Sequence, residues 1–208
     1  MTYGEIQRAV LELINQYSIA GETISPAYNN QSDYIHRIPN LINQALVRIR
    51  TGPRPEAVFR HLENGDVHTD SGITVYRLPA DFWALKSGGM TRMERGTLRP
   101  TNRYWLRGRR EIAVPTAEDE GYYCEYYRLP ALLDADIAPG EQVTEDDEVV
   151  QAAILYAAAF LVLPDDTAAY EALFQEYEDR LSLLRLPVTA EVRPVEDVYG
   201  GESGWQSA

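Results

Sequence analysis

Val149-Val150-Gln151-Ala152-Ala153-Ile154-Leu155-Tyr156-Ala157-Ala158-Ala159-Phe160-Leu161-Val162-Leu163 is the stretch that decides how this chain is read. It is interrupted only by Gln151, and it is apolar on every side rather than along one stripe. Such a run predicts a helix buried all round, with other elements packed about it. At about 15 residues it is too short to span a bilayer. Ahead of it, Thr144 can cap the helix, with Glu145, Asp146, Asp147 and Glu148 at the positive end of the dipole. Behind it, Pro164-Asp165-Asp166 makes a tight connection to a further helix with Ala169, Tyr170, Leu173, Phe174, Tyr177 and Leu181 on its core face. Pro187 stops that helix.

The chain's first fifty residues supply two more helices. Thr2-Tyr3-Gly4-Glu5 has the spacing of a capping box, and Ile6, Ala9, Val10, Leu13, Ile14 and Tyr17 fall three or four apart behind it. Gly21 and the polar stretch through Asn30 break this helix. A second helix starts near Ser32 or Asp33 and carries Tyr34, Ile35, Ile38, Leu41, Ile42, Ala45, Leu46 and Ile49 on one stripe. Pro39 lies inside that stripe, which predicts a kink or a restart at Asn40.

From about residue 57 the texture changes. Ile73-Thr74-Val75-Tyr76, Tyr104-Trp105-Leu106 and Tyr122 to Tyr127 are aromatic and β-branched runs punctuated by Asn64-Gly65-Asp66, Gly88-Gly89 and Gly108. They predict antiparallel strands and hairpins. Leu106 and Ile112 flank Arg107-Gly108-Arg109-Arg110 as a hairpin tip. The phrase Tyr-Arg-Leu-Pro-Ala occurs at Tyr76–Ala80 and again at Tyr127–Ala131, each copy ending a strand at a proline that cannot donate to a ladder. The expected fold is therefore α+β: a four-helix core with an inserted antiparallel β domain and an extended C-terminal tail. Residues 1–56 and 138–187 form the helical core, 57–137 the inserted domain and 188–208 the tail.

Charge is distributed unevenly. Residues 131–208 hold 17 Asp and Glu against three Arg, a net of −14, while residues 1–130 hold 15 acids and 16 bases, a net of +1. That asymmetry speaks of partners rather than of fold. An acidic total argues against tight non-specific DNA binding, which needs a cationic surface to release counterions. Arg supplies 18 of the 19 basic residues, and seven of them, Arg92, Arg95, Arg99, Arg103, Arg107, Arg109 and Arg110, cluster among tyrosine and tryptophan. Single-strand binding surfaces look like this, and so do protein interfaces built on bidentate guanidinium pairs. The acidic second half favours the interface.

Catalytic chemistry finds little footing. His36, His61 and His68 lack metal-site spacing, Gly88-Gly89 lacks the lysine and spacing of a phosphate loop, and Glu145 to Glu148 lack the alternating ligands of a calcium loop. The lone cysteine, Cys124, sits in an aromatic strand as a buried thiol, in keeping with a reducing compartment. No secretory signal is read at the N-terminus. No enzyme activity, metal or cofactor is expected.

Tyr76-Arg77-Leu78-Pro79-Ala80-Asp81-Phe82 resembles a "strand, Leu-Pro-x-Asp-Phe" phrase of head-to-tail adaptor proteins of tailed bacteriophages. So do the tyrosine-rich strand ending at Tyr126-Tyr127-Arg128-Leu129-Pro130, the Ala-rich helix from Val149 and the helix Ala168 to Leu184. Asp33-Tyr34 through Pro39 and Leu41-Ile42-Asn43-Gln44-Ala45 are similar again. The resemblance covers nearly residues 1–187 and is nearest to the tail tubular protein A type of short-tailed phages. It implies a structural virion protein in a homo-oligomeric ring of twelve copies, in the neck or tail region, assembled in the host cytoplasm. Above it would sit the portal protein and below it a tail or nozzle protein, with double-stranded DNA passing through unbound and no membrane partner. The implied C-terminal contact with the portal points to Val195, Val198, Tyr199 and Trp205 as anchors. Arg107, Arg109 and Arg110 are the candidate subunit-interface residues, and Glu145, Asp146, Asp147 and Glu148 the candidate lumen acids. The alternative is a nucleic-acid-binding module using the Arg92 to Arg110 cluster.

Overall fold

Thr2 does start a helix in the computed structural model, which describes residues 1–14, 31–63, 72–116 and 121–185. Glu5 N donates to Thr2 Oγ1 at 3.3 Å and Thr2 N donates back to Glu5 Oε2 at 2.7 Å, closing the capping box of α1 (Tyr3–Leu13). Helix α2 (Gln31–Arg50) runs unbroken through Pro39. The missing N–H costs one rung of the ladder, and the burial of Ile38, Leu41 and Ile42 around it holds the helix together. The apolar run becomes α3 (Asp147–Val162), and α4 (Thr167–Leu184) follows after a tight turn. Asp166 caps α4, its Oδ1 accepting from Ala169 N at 3.0 Å. Thr144 caps nothing: the helix begins one residue after Asp146, whose own carboxylate is held by Arg50 at 3.1 Å and makes no cap bond.

Helix α3 is the hub, and α1, α2 and α4 each pack on it. Ala152, Ala153, Ala157 and Ala158 are fully buried, and their small side chains let the neighbouring backbones come close. One hydrophobic cluster joins Ile6 and Val10 of α1, Ile42 and Leu46 of α2, Ile154 and Leu161 of α3, and Tyr177 and Leu181 of α4. The helices are unequal, at 11, 20, 16 and 18 residues. The expected four-helix core is better described as three helices gathered on a central one, because α3 alone has no polar face to turn outward.

Among the described residues, seven strands build two antiparallel sheets. Strands β1 (Glu56–His61), β7 (Tyr122–Arg128), β3 (Phe82–Glu94) and β4 (Thr97–Pro100) lie in that order in the first. Strands β2 (Ile73–Arg77), β6 (Glu111–Pro115) and β5 (Trp105–Arg107) lie in that order in the second. Met90, Cys124 and Tyr126 from one sheet share a core with Tyr76, Ile112 and Val114 from the other. The repeated Tyr-Arg-Leu-Pro phrase ends β2 at Arg77 and β7 at Arg128, and each following leucine is caught by a backbone carbonyl: Leu78 N by Arg110 O and Leu129 N by Asp81 O, both at 2.7 Å. Asp81 also accepts from the Tyr126 hydroxyl at 3.0 Å, so the Asp81-Phe82 pair locks the start of β3 to β7.

Gly88-Gly89 lies in an irregularity of β3, as its dipeptide suggested: pairing with β7 shifts between Leu85 and Met90, and Gly88 has φ +70°. The β3–β4 hairpin carries no Asn-Gly or Asp-Gly signal. Arg95 and Gly96 turn it with φ 49° and 77°, the primed geometry that fits strand twist. After β7 the chain returns to the helices: Leu133 and Ile137 pack on the helical cluster, and Asn43 exchanges two hydrogen bonds with the backbone of Leu133 at 2.8 and 2.9 Å. The loop around Gly21, the turn at Gly65, His68, and the tail with Val195, Val198, Tyr199 and Trp205 lie outside the described residues.

Candidate functional site

The β5–β6 hairpin forms where it was expected. Leu106 pairs with Ile112 and Arg107 with Glu111, and Gly108 turns the tip with φ +65°. Ile112 goes into the sandwich core, which pins the hairpin in register and leaves Arg107, Arg109 and Arg110 exposed. None of the three makes an ion pair with a described residue. On the face away from the shared core, the buried Val75 and Ala113 stand in one row with Trp105, and Arg77, Glu111 and Arg107 in the next. Trp105 remains 55% exposed.

A second tryptophan comes from the other sheet. Phe82 packs on Tyr126 with ring centroids 5.4 Å apart, and pairing with β7 resumes only at Ala84. Trp83 is the extra residue of that bulge, aimed away from the core and 48% exposed. It lines a cleft of about 370 Å³ together with Pro79, Phe82, Leu129 and the hairpin tip from Gly108 to Arg110. Exposed tryptophan beside unpaired arginine in a concave setting is the composition of an interface anchor. Nothing in the sequence marks Trp83 as bulged, so periodicity alone could not single it out.

The rest of the basic cluster lies elsewhere. Arg92 and Arg99 face each other across the β3–β4 hairpin and share Glu94, at 3.7 and 3.6 Å. They sit at the C-terminal end of β3, whereas Arg109 and Arg110 adjoin Phe82 and Trp83 at its N-terminal end. Nine to ten residues of strand lie between Trp83 or Phe82 and Arg92, a separation of about 30 Å. What looks continuous between Arg92 and Arg110 in sequence is two smaller patches in space.

The acidic tetrad is also divided. Glu145 is buried, 5% exposed, and its Oε2 accepts from Arg50 Nε and Nη2. It is therefore removed from the candidate lumen acids, because a buried, paired carboxylate presents no field to a passing polyanion. Asp146 shares Arg50, Asp147 pairs with the N-terminal ammonium at 3.3 Å, and Glu148 pairs with Arg54 at 2.9 Å. Asp147 and Glu148 keep exposed side chains.

Other reactive groups are structurally occupied. Burial pushes the Cys124 thiol up to about 11, so it is a protonated core side chain near neutral pH. His61 packs against the Tyr123 ring at 4.7 Å. No group of three or more His, Cys, Asp or Glu among the described residues could hold a metal ion. No helix among them is long and apolar enough to cross a membrane.

Residues 1–196 fit the family model described as SU10 adaptor protein. No curated protein matches the chain.

Proposed function

This chain belongs to the SU10 adaptor protein family of phage structural proteins, and on that premise we propose that its copies form the head-to-tail ring of a tailed bacteriophage. The ring is of the tail tubular protein A type, with twelve subunits. It sits in the virion neck, holds the portal protein on one side and a tail or nozzle protein on the other, and lets double-stranded DNA pass without specific binding. No reaction is assigned to it.

The observation that carries the reading is the tip surface: Arg107, Arg109 and Arg110, unpaired among the described residues, beside the half-exposed Trp83 and Trp105. A subunit that ends its work alone has no use for such a surface, whereas a ring subunit must present one face to its neighbour. Asp146, Asp147 and Glu148, exposed at the start of α3, are the acids assigned to the conduit, where carboxylates keep phosphates from settling. Val195, Val198, Tyr199 and Trp205 are assigned to the portal contact.

Electron microscopy and native mass spectrometry of the full chain mixed with its own portal test this. Closed rings on the portal are expected, with a salt-insensitive lack of duplex affinity in a mobility-shift assay. A chain that stays monomeric with the portal and shifts DNA in a salt-dependent way would instead be the nucleic-acid-binding module.

A further inference from the structure

Helix α4 turns one face to the core and leaves the other without a partner among the described residues. Tyr177, Leu181 and Leu184 are buried, while Ala172, Glu176, Asp179 and Leu183 recur three or four residues apart on the exposed side, with exposed Glu171 on its flank. Leu183 is 67% exposed. Glu178, at the border of this stripe, is taken by Arg48 at 3.1 Å. Glu171, Glu176 and Asp179 make no ion pair with a described residue; Asp179 accepts only from Gln175 Nε2, at 3.0 Å.

These features mirror the β5–β6 tip. One surface offers three unpaired carboxylates with an exposed leucine, and the other three unpaired guanidinium groups with exposed tryptophan and a cleft. No ion pair joins the two within one chain. Resting on the ring reading above and naming its acceptor, we propose that the β5–β6 tip of one copy docks on the outward stripe of α4 in the next copy. Arg107, Arg109 and Arg110 meet Glu171, Glu176 and Asp179, and Leu183 enters the cleft beside Trp83. Donor and acceptor lie on different elements, so the contact is heterologous and repeats head to tail, the geometry from which rings close. Duplex DNA is the weaker occupant for the tip: only three charges gather there, and Arg92 and Arg99 stand at the far end of β3 and are partly spent on Glu94.

Charge reversal decides it. One variant carries Arg107→Glu, Arg109→Glu and Arg110→Glu, and a second carries Glu171→Lys, Glu176→Lys and Asp179→Lys. All six positions are exposed, and circular dichroism with a melting curve checks that each variant folds. Ring yield on the portal, read by native mass spectrometry, is expected to fall at least tenfold for either variant. It should recover when the two variants are mixed in equal amounts, since each then meets a complementary neighbour. Full ring yield with either variant overturns the docking and leaves the ring reading standing. A wild-type chain that never forms a ring overturns both. Intact rings that lose the portal or the tail when α4 is reversed, or lose only DNA affinity when the tip is reversed, assign the surface to that partner and overturn the proposal.

Discussion

The guanidinium of Arg50, last residue of α2, holds Glu145 ahead of α3 through a single oxygen: Nε and Nη2 both donate to Oε2, at 2.8 and 2.6 Å, with both side chains out of water. Arg50 also reaches Glu56 of β1 at 3.2 Å, and Glu56 in turn pairs with Arg128 of β7 at 2.9 Å. Two helices and two strands thus meet on one charged junction. Its hydrogen bonding is incomplete: Glu145 Oε1 lies 3.8 Å from Arg128 Nη2, and neither Oε1 nor Arg128 Nε has a hydrogen-bond partner among the described residues.

Removing one member should be costly, because the other is left charged and buried. Arg50→Ala is expected to lower unfolding free energy by roughly 3–5 kcal/mol, and Glu145→Ala by less, because Arg50 keeps Asp146 and Glu56. Replacing both together should cost less than the sum, the sign of direct coupling. Urea titrations of the two single variants and the double variant provide the cycle, and strict additivity would show that the pair is not coupled.

Gly89→Ala should be far more damaging than Gly108→Ala. A Cβ on Gly89 would collide with the carbonyl oxygen of Glu125 on β7 and lie 2.8 Å from that of Lys86, both backbone atoms that cannot swing away. A Cβ on Gly108 meets nothing within 4 Å and suffers only from φ +65°. The expected costs are about 3 kcal/mol or more against about 1 kcal/mol, measured as shifts in denaturation midpoint. Equal costs would mean that β3 does not pinch against β7 there.

Alkaline pH should loosen the fold before it touches the salt bridges. Burial pushes the Tyr177 hydroxyl up to about 12, burial and then the Asp81 bond push Tyr126 up to about 12, and burial takes Cys124 from 9.0 to about 11. Each folded value lies above the unfolded one, so the unfolded chain releases its proton first. Stability is then complete below pH 9 and falls as pH rises through 12, by about 2 kcal/mol per group at the end of its window. Tyr177→Phe should flatten this fall. It should also leave neutral-pH stability unchanged or raise it by about 1 kcal/mol, because the buried Tyr177 hydroxyl has no hydrogen-bond partner among the described residues. Melting curves at pH 8 and pH 11 for the two proteins read both effects.

Truncation after Pro187 is expected to leave the subunit folded, since the four helices and the sheets are complete by Leu184, the last described member of the core. The melting temperature should move by no more than a few degrees. Portal attachment, read by co-sedimentation, should drop at least tenfold through loss of Val195, Val198, Tyr199 and Trp205. Equal binding by both lengths would withdraw the anchor assignment.

Local features of this chain are readable in its sequence because they are local in physics. Thr2 and Glu5 cap α1 across three residues, Leu106 and Ile112 clamp a turn between them, and the all-round apolar run from Val149 needs no partner's identity to predict burial. The Arg95-Gly96 turn was hidden because its residue types are not those that usually adopt positive φ together. The bulge at Trp83 was hidden because it depends on how β3 meets a strand some forty residues away.

The sequence by itself determined an α+β chain with a buried central helix, a strand-rich middle, an acidic second half and the phrases that mark a phage adaptor. Only the tertiary structure decided which charges remain free to meet a partner. It buried Glu145 against an arginine 95 positions away, divided the basic cluster between two ends of one strand, and left Glu171, Glu176 and Asp179 on an open helix face. Helix periodicity and caps act within a turn or two of chain. The state of a charge depends on whatever the folded chain brings within about 4 Å of it, and no spacing along the sequence encodes that.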